Sequence, residues 1–366
     1  MTIGDLHFKN DNIETVDIFL LELLQLVKKE TPDLIVVLGD LLHYHARIHT
    51  TPLNKVSYLI EKLSKLAPTY VLVGNHDMIN PAQFLTTNHW MNVFKNWKNV
   101  VVVDKIQHLT LKGKFLTFVP FVPKTRFKEA LDTSNQDWTK SDLIFAHQDF
   151  NGCKMGAITA TDADKWEVND PPVVSGHIHS RQFLFNNERF SVENYQKDYP
   201  LKKGVVYYSG SAFQHAFGES HHKMIGCIQI KEDEPLLTEH KLNIPCKRIY
   251  TIEAKDISKL LEKPETKDKI RINIKATAAE FKVLKKTKEY KKLVEKGYKI
   301  ELKNTNVENQ EIHENMNEES FTKLLYNQIE RSDNISELSD FYHLIHSKSV
   351  DFRPDRFRFY KKNKNL

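Results

Sequence analysis

The chain has 366 residues, 40 % hydrophobic and 28 % charged, with a formal net charge of +5. This composition excludes collagen-like, low-complexity and wholly disordered chains, and the length calls for one large or two unequal domains. The best apolar run, Ile18 to Val27, is broken by Glu22 and Gln25, and Met1 to Asn10 lacks the regions of a secretory signal. Cys153, Cys227 and Cys246 are odd in number and widely scattered, so neither a disulfide framework nor a thiolate zinc site is expected. A soluble intracellular protein is expected.

The first half alternates between two periodicities. Ile13, Val16, Phe19, Leu20, Leu23, Leu24 and Val27 recur at helical spacing, and the segment ends at Thr31-Pro32. Leu34 to Leu38 is a short apolar run closed by Gly39, the pattern of a buried strand. Leu53 to Leu66 is helical, and Tyr70 to Val73 extended. Further strands are expected at Val100 to Val103, Lys114 to Val119, Asp142 to Ala146, Val173-Val174, Val205 to Tyr208 and Met224 to Ile230. Helices alternating with buried strands, then mostly strands, imply a layered α/β fold with helices flanking the sheets.

A second unit is expected from about Arg248. Tyr250 to Ala254 and Lys269 to Lys275 read as strands, Ala278 to Glu295 as one lysine-rich helix, and Tyr298 to Lys303 as a returning strand. Asn304 to Glu319 reads as a linker, Phe321 to Ile329 as helical, and Asp351 to Leu366 as a basic, aromatic tail. Charge divides the same way: residues 1–240 are mildly acidic, and Lys267 to Lys299 is strongly basic. Such a module suits an anionic macromolecular partner, although a solvated lysine-rich face has the same composition.

Five short signatures follow the expected strands, where open α/β sheets place their sites. They are Asp5-Leu6-His7, Gly39-Asp40-Leu41-Leu42-His43, Gly74-Asn75-His76-Asp77, Ala146-His147 and Gly176-His177-Ile178-His179. Their oxygen and imidazole donors, with no cysteine among them, suit Mn²⁺, Fe²⁺ or Zn²⁺. An unpaired carboxylate at Asp40, after the most apolar strand, would cost several kcal/mol; a position between two cations removes that penalty.

Together the signatures resemble the ordered D-x-H, G-D, G-N-H-D/E, H and G-H-x-H of the calcineurin-like metallophosphoesterase superfamily, over about residues 1–230. Gly39 to His43 is similar to the G-D-L-F-H of SbcD-type nuclease subunits of DNA double-strand-break repair. Tyr208-Ser209-Gly210-Ser211 is similar to the Y-x-G-S of the same nucleases. The resemblance implies a metallophosphoesterase β-sandwich flanked by helices (1–247) and a smaller basic α+β capping, DNA-binding domain (248–303). A linker, helical segment and tail (304–366) would serve partner binding.

It further implies two divalent ions, with Mn²⁺ expected: one held by Asp5, His7, Asp40 and His179, the other by Asp40, Asn75, His147 and His177. His76 would be the general acid or phosphate-contacting histidine, and His43 the extra histidine near the scissile phosphate. The implied activity is DNA exonuclease or endonuclease hydrolysis in repair, recombination or replication. The implied partners are DNA, an SbcC-type coiled-coil ATPase docking on segments such as Phe321 to Ile329 or Phe341 to Ile345, and a second copy of the chain. A cytoplasmic or nuclear location follows.

The alternatives are a metallophosphatase or small-molecule phosphodiesterase, and a metal-free scaffold. Asp77 reads either as orienting His76 or as a capping carboxylate. His45, His49, His215, His221 and His222 read first as ordinary loop histidines, and Gln148 and Asp149 as polar support for His147. Only three residues precede Gly4, which leaves the strand presenting Asp5 and His7 short.

Overall fold

Parallel pairing within each of two stacked sheets brings the motif-bearing turns to one edge. The computed structural model describes residues 1–304 except 46, 193–197, 233, 263 and 265. The linker, partner-binding helices and basic tail expected after Asn304 lie outside the described residues. Strands β1 (Thr2–Ile3), β2 (Ile35–Val37), β3 (Thr69–Leu72) and β4 (Val100–Val103) run parallel, with α1 (Ile13–Glu30) and α2 (Thr50–Leu66) as the first two crossovers. A second sheet begins with β5 (Gln107–Leu111), β6 (Lys114–Phe118) and β7 (Leu143–His147), the short α3 (Phe127–Leu131) lying before β7.

A small hairpin of β8 (Lys154–Met155) and β9 (Ile158–Thr159) precedes β10 (Val173–Gly176), β11 (Gln182–Phe185) and β12 (Glu188–Phe190). Then follow β13 (Tyr199–Pro200), β14 (Val205–Tyr208), β15 (Ile225–Ile230) and β16 (Pro235–His240). The two main sheets have seven strands each, ordered β13-β16-β15-β1-β2-β3-β4 and β12-β11-β14-β10-β7-β6-β5. Val36, Leu38, Leu72, Phe118, Phe145 and Tyr207 pack between them. Val16, Phe19, Leu23, Val56, Ile60 and Leu63 seat the two long helices on the outer side of the first sheet. Among the described residues no helix is long and apolar enough to cross a membrane.

Register aligns the motifs. Ile3 pairs with Val37, and Val37 with Val71, so the turns after β1, β2 and β3 emerge side by side. Gly176 pairs with His147, which sets His177 beside it. The two-residue β1 is held on both sides, by β2 and antiparallel by β15. The turn after it is pinned where Leu6 and His7 both donate N–H to the Asp40 carbonyl, at 3.1 and 2.8 Å.

The third sheet, within the same unit Met1–Lys303, contains β17 (Lys247–Glu253), β18 (Lys269–Ala276) and β19 (Lys299–Asn304). The single helix expected at 278–295 is two, α5 (Ala278–Leu284) and α6 (Lys288–Glu295). The break is local chemistry: the Thr287 hydroxyl accepts from the Tyr290 N–H and starts a new helix. Ile270, Ile272 and Ile274 face these helices, packing with Phe281, Leu284 and Leu293. Strand alternation sends Arg271 to the opposite face, where its guanidinium lies 4.5 Å from the Phe217 ring centroid. Lys269 on that face reaches Glu14 of α1 at 3.5 Å.

Candidate metal centre

Three of the motif residues have left-handed backbones: His7 at φ 42°, Asp40 at 53° and His177 at 76°. For residues with a Cβ this costs roughly 1–3 kcal/mol each, strain that concentrates at functional sites. The motif glycines make room for the rings. A Cβ on Gly74 would lie 2.3 Å from Asp40 Oδ1 and 2.9 Å from His147 Cε1; one on Gly39, at φ 103°, would lie 2.5 Å from His147 Nδ1. Gly74→Ala is therefore expected to cost about 1–3 kcal/mol and to lower bound metal, read by thermal unfolding and metal analysis. Unchanged values on both would show that the turn has slack.

Two clusters of potential ligand atoms result: Asp5, His7 and His179, and Asp40, His147 and His177. Nε2 of His7 lies 2.9 Å from Nε2 of His179 and 3.3 Å from Asp40 Oδ2. On the other side His147 Nε2 lies 3.4 Å from Asp40 Oδ1. Asn75 Oδ1 stands 2.8 Å from His177 Nδ1 and 3.1 Å from His147 Nε2. Asp40 thus turns one oxygen to each cluster.

A divalent cation fits these donors. Asp5 is fully buried; its Oδ1 accepts the His177 N–H at 2.8 Å, but Oδ2 has no hydrogen-bond partner. Two imidazole nitrogens aimed at each other, beside an unpaired buried carboxylate oxygen, are satisfied together by a cation. His147 Nδ1–H donates to the Leu38 carbonyl at 2.6 Å, which leaves Nε2 as its ligating atom. Electrostatics agree. Burial pulls His147 down, yet the Asp40 and Asp5 charges lift it to about 9, the attraction a metal ion would use. Burial, followed by His147, pushes His177 down to about 3, so its ring is neutral.

His76 lies beside the clusters. Its Nδ1–H donates to the His43 carbonyl at 2.7 Å, and its backbone N–H donates to Asp40 Oδ1 at 2.8 Å. The His43 ring stacks 5.8 Å from it; burial first, then Lys9 and His76, lower His43 to about 4. His45, read from sequence as a solvated loop residue, instead stacks on His76 at 4.2 Å. His49 is exposed, 3.3 Å from Asn10, and His221 and His222 are exposed.

Asp77 does not orient His76. It is a buried cap that accepts the N–H groups of Asp40, Leu41 and Gly74 and the indole N–H of Trp90, at 2.7 to 3.1 Å. It holds the β2 and β3 turns in register with each other. Gln148 and Asp149 do not support His147 either: Gln148 bonds Asp164 at 2.9 Å, and Asp149 faces Lys124 at 3.6 Å.

Sequence reasoning underrated the segment after Ser211. His215 is buried, donates Nε2–H to the Asp5 carbonyl at 3.1 Å, and lies edge-on to His7 and His179. Lys223 Nζ bonds the His179 carbonyl, Ser211 Oγ and Glu219 at 2.6 to 2.9 Å, which fixes the His179 turn. The spacing of Gln214-His215 and Glu219 to Lys223 carries no periodic signal, and only folding reveals the network.

A family model described as "Calcineurin-like phosphoesterase" matches residues 1–181. "Putative phosphoesterase 244L" of Invertebrate iridescent virus 6 is 40 % identical over 291 residues, covering 78 % of this chain and 96 % of the relative. The chain belongs to the calcineurin-like phosphoesterase family. A second relative, "Putative phosphoesterase 078R" of Invertebrate iridescent virus 3, is 39 % identical over 306 residues, or 82 % of this phosphoesterase and 83 % of the relative. Among solved structures, the purple acid phosphatase PPD1 from yellow lupin (Lupinus luteus) seeds is similar at TM-score 0.43 and 13 % identity. That match covers 66 % of this chain and half of the lupin chain. The phosphoesterase is thus a hydrolase whose clustered Asp and His side chains suit the divalent metals of its family.

Proposed function

We propose that this phosphoesterase is a Mn²⁺-dependent DNA nuclease, an exonuclease with endonuclease action as its second mode, serving DNA repair, recombination or replication. The observation that carries this reading is the position of a basic sheet face next to the metal centre. Lys269, Arg271, Lys275 and Lys299 share the face of the third sheet opposite its helices, in surplus over the Glu14, Glu253 and Glu301 carboxylates that pair with them at 3.2 to 4.0 Å. Arg271 stacks on Phe217, two residues from His215, and Lys247 Nζ bonds the His215 carbonyl at 2.5 Å. A small phosphate ester has no use for such a surface, whereas a DNA backbone does, without regard to sequence.

Asp5, His7, Asp40 and His179 would hold one ion, and Asp40, Asn75, His147 and His177 the other. When bound, the two ions supply an activated water and neutralise phosphate charge. His76, with Nδ1 committed to the His43 carbonyl, keeps Nε2 to give a proton to the leaving oxygen. His45 stacked behind it holds the ring plane. His43 would sit by the scissile phosphate. An SbcC-type ATPase is the partner this reading implies, docking on the segment after residue 304.

A Mn²⁺-dependent assay should show cleavage of linear duplex or single-stranded DNA well above that of a generic phosphate monoester. Turnover of the monoester alone would replace the nuclease by a phosphatase. Bound Mn²⁺ should approach two ions per chain.

The face also makes a separable prediction. Reversing Lys269, Arg271 and Lys275 should weaken DNA binding and flatten its salt dependence, by roughly 0.9 in slope per lost phosphate contact. Reversing Lys285, Lys288 and Lys292 in the α5–α6 region should do less. Equal effects would place the DNA elsewhere.

A further inference from the structure

We infer that Glu30, Cys227 and His240 form a separate, thiolate-containing cation site of the Zn²⁺ class where the end of α1 meets β15 and β16. One carboxylate oxygen, the Sγ and one imidazole nitrogen lie within 4.8 Å of one another, with His240 Nε2 at 4.0 Å from Glu30 Oε1. Tetrahedral zinc, with bonds of about 2.0–2.3 Å, separates its ligand atoms by roughly 3.3–3.8 Å, so small side-chain shifts complete the geometry.

The three residues come from three elements, and pairing explains their meeting. Cys227 pairs with Thr238 and Ile225 with His240, so Cys227 and His240 are diagonal neighbours on one sheet face. That face packs against the core under α1, and Cys227 packs with it. Glu30 is the last residue of α1, and Thr31 at φ 41° ends the helix by donating N–H to Val27.

A carboxylate at a helix C-terminus opposes the helix dipole, so Glu30 gains from a cation. Its ion-pair partner Lys29, at 3.4 Å, is 76 % exposed and compensates little. A cavity of about 410 Å³, lined by Met1, Glu30, Asp33, Cys227 and Gln229 among others, adjoins two of the three donors.

A sulfur, nitrogen and oxygen donor set selects Zn²⁺ over Mn²⁺ or Mg²⁺, unlike the sulfur-free centre at the strand ends. Sequence spacing assigned the cysteines no metal role, because Cys227 has no C-x-x-C neighbour. The fold supplies the missing ligands from 197 residues upstream and 13 downstream. A bound ion would clamp α1 to β15, the antiparallel neighbour of the two-residue β1, and stabilise the folded chain by mass action.

Cobalt titration of the full chain tests this without reference to the substrate. The main centre offers no sulfur, so a thiolate-to-cobalt charge-transfer band in the near-ultraviolet reports a cysteine ligand, which the variants then assign. The band should appear in the wild type, vanish in Cys227→Ser and persist in Cys246→Ser. His240→Ala should weaken the binding it reports by more than about tenfold. No band in the wild type, or a band surviving Cys227→Ser, overturns the site. Should Cys227→Ser fail to fold, Zn²⁺ must slow alkylation of Cys227 in the wild type, mapped by mass spectrometry, and an unchanged rate overturns the site equally.

Discussion

His76→Ala is expected to lower DNA hydrolysis by about 10²–10⁴-fold, the usual contribution of a positioned acid, with metal content unchanged. Metal should survive because the contact between His76 and Asp40 is through the backbone N–H, which alanine retains. His7, His43 and His76 also converge as a third group of possible ligand atoms, which gives the experiment its edge. If metal content fell with activity, His76 would be a ligand and the proton donor would have to be sought elsewhere. His45→Ala, which removes only the stacked ring, should have a smaller effect on turnover.

Asp40→Asn should remove more than activity. Asp40 faces His7 with one oxygen and His147 with the other, so its charge serves both halves of the centre. The amide keeps the shape and one acceptor oxygen but loses the charge that attracts two cations. Bound Mn²⁺ should fall from near two ions per chain to below one. Saturating Mn²⁺ at a hundred times its dissociation constant would stabilise the wild type by about 2.7 kcal/mol per site, seen as a rise in melting temperature. That rise should largely disappear in Asp40→Asn. Retention of two ions would move the bridging role to another oxygen.

Most strands that carry the site were legible as short apolar runs closed by a motif: Leu34 to Leu38 before Gly39 gives β2, and Asp142 to Ala146 before His147 gives β7, whereas the two-residue β1 has no such run. Buried parallel strands advertise themselves by composition. The edge strands β5 and β12 did not, since Gln107-His108 and Glu188-Arg189 at a solvated edge read as loop. The helix at 278–295 was overextended because lysine-rich periodicity continues across Thr287, and only the capping hydrogen bond marks the break.

What the sequence determined by itself is the donor inventory and its order: seven Asp, Asn and His side chains, each placed at or just after the end of a strand. Their chemistry is intrinsic to residue type, and the strand ends are set by local apolar runs. The tertiary structure alone decided the rest. Parallel register within each sheet, and the packing of the two sheets on one another, brought side chains separated by up to 174 residues to within 4.8 Å, from Asp5 to His179. It gave Asp77 to the turns as a cap, set His45 on His76 and His215 under Asp5, and sent Arg271 and the α5–α6 lysines to opposite faces. Those outcomes depend on which surfaces can be buried together at the same time, a property of the packed chain that no local pattern encodes.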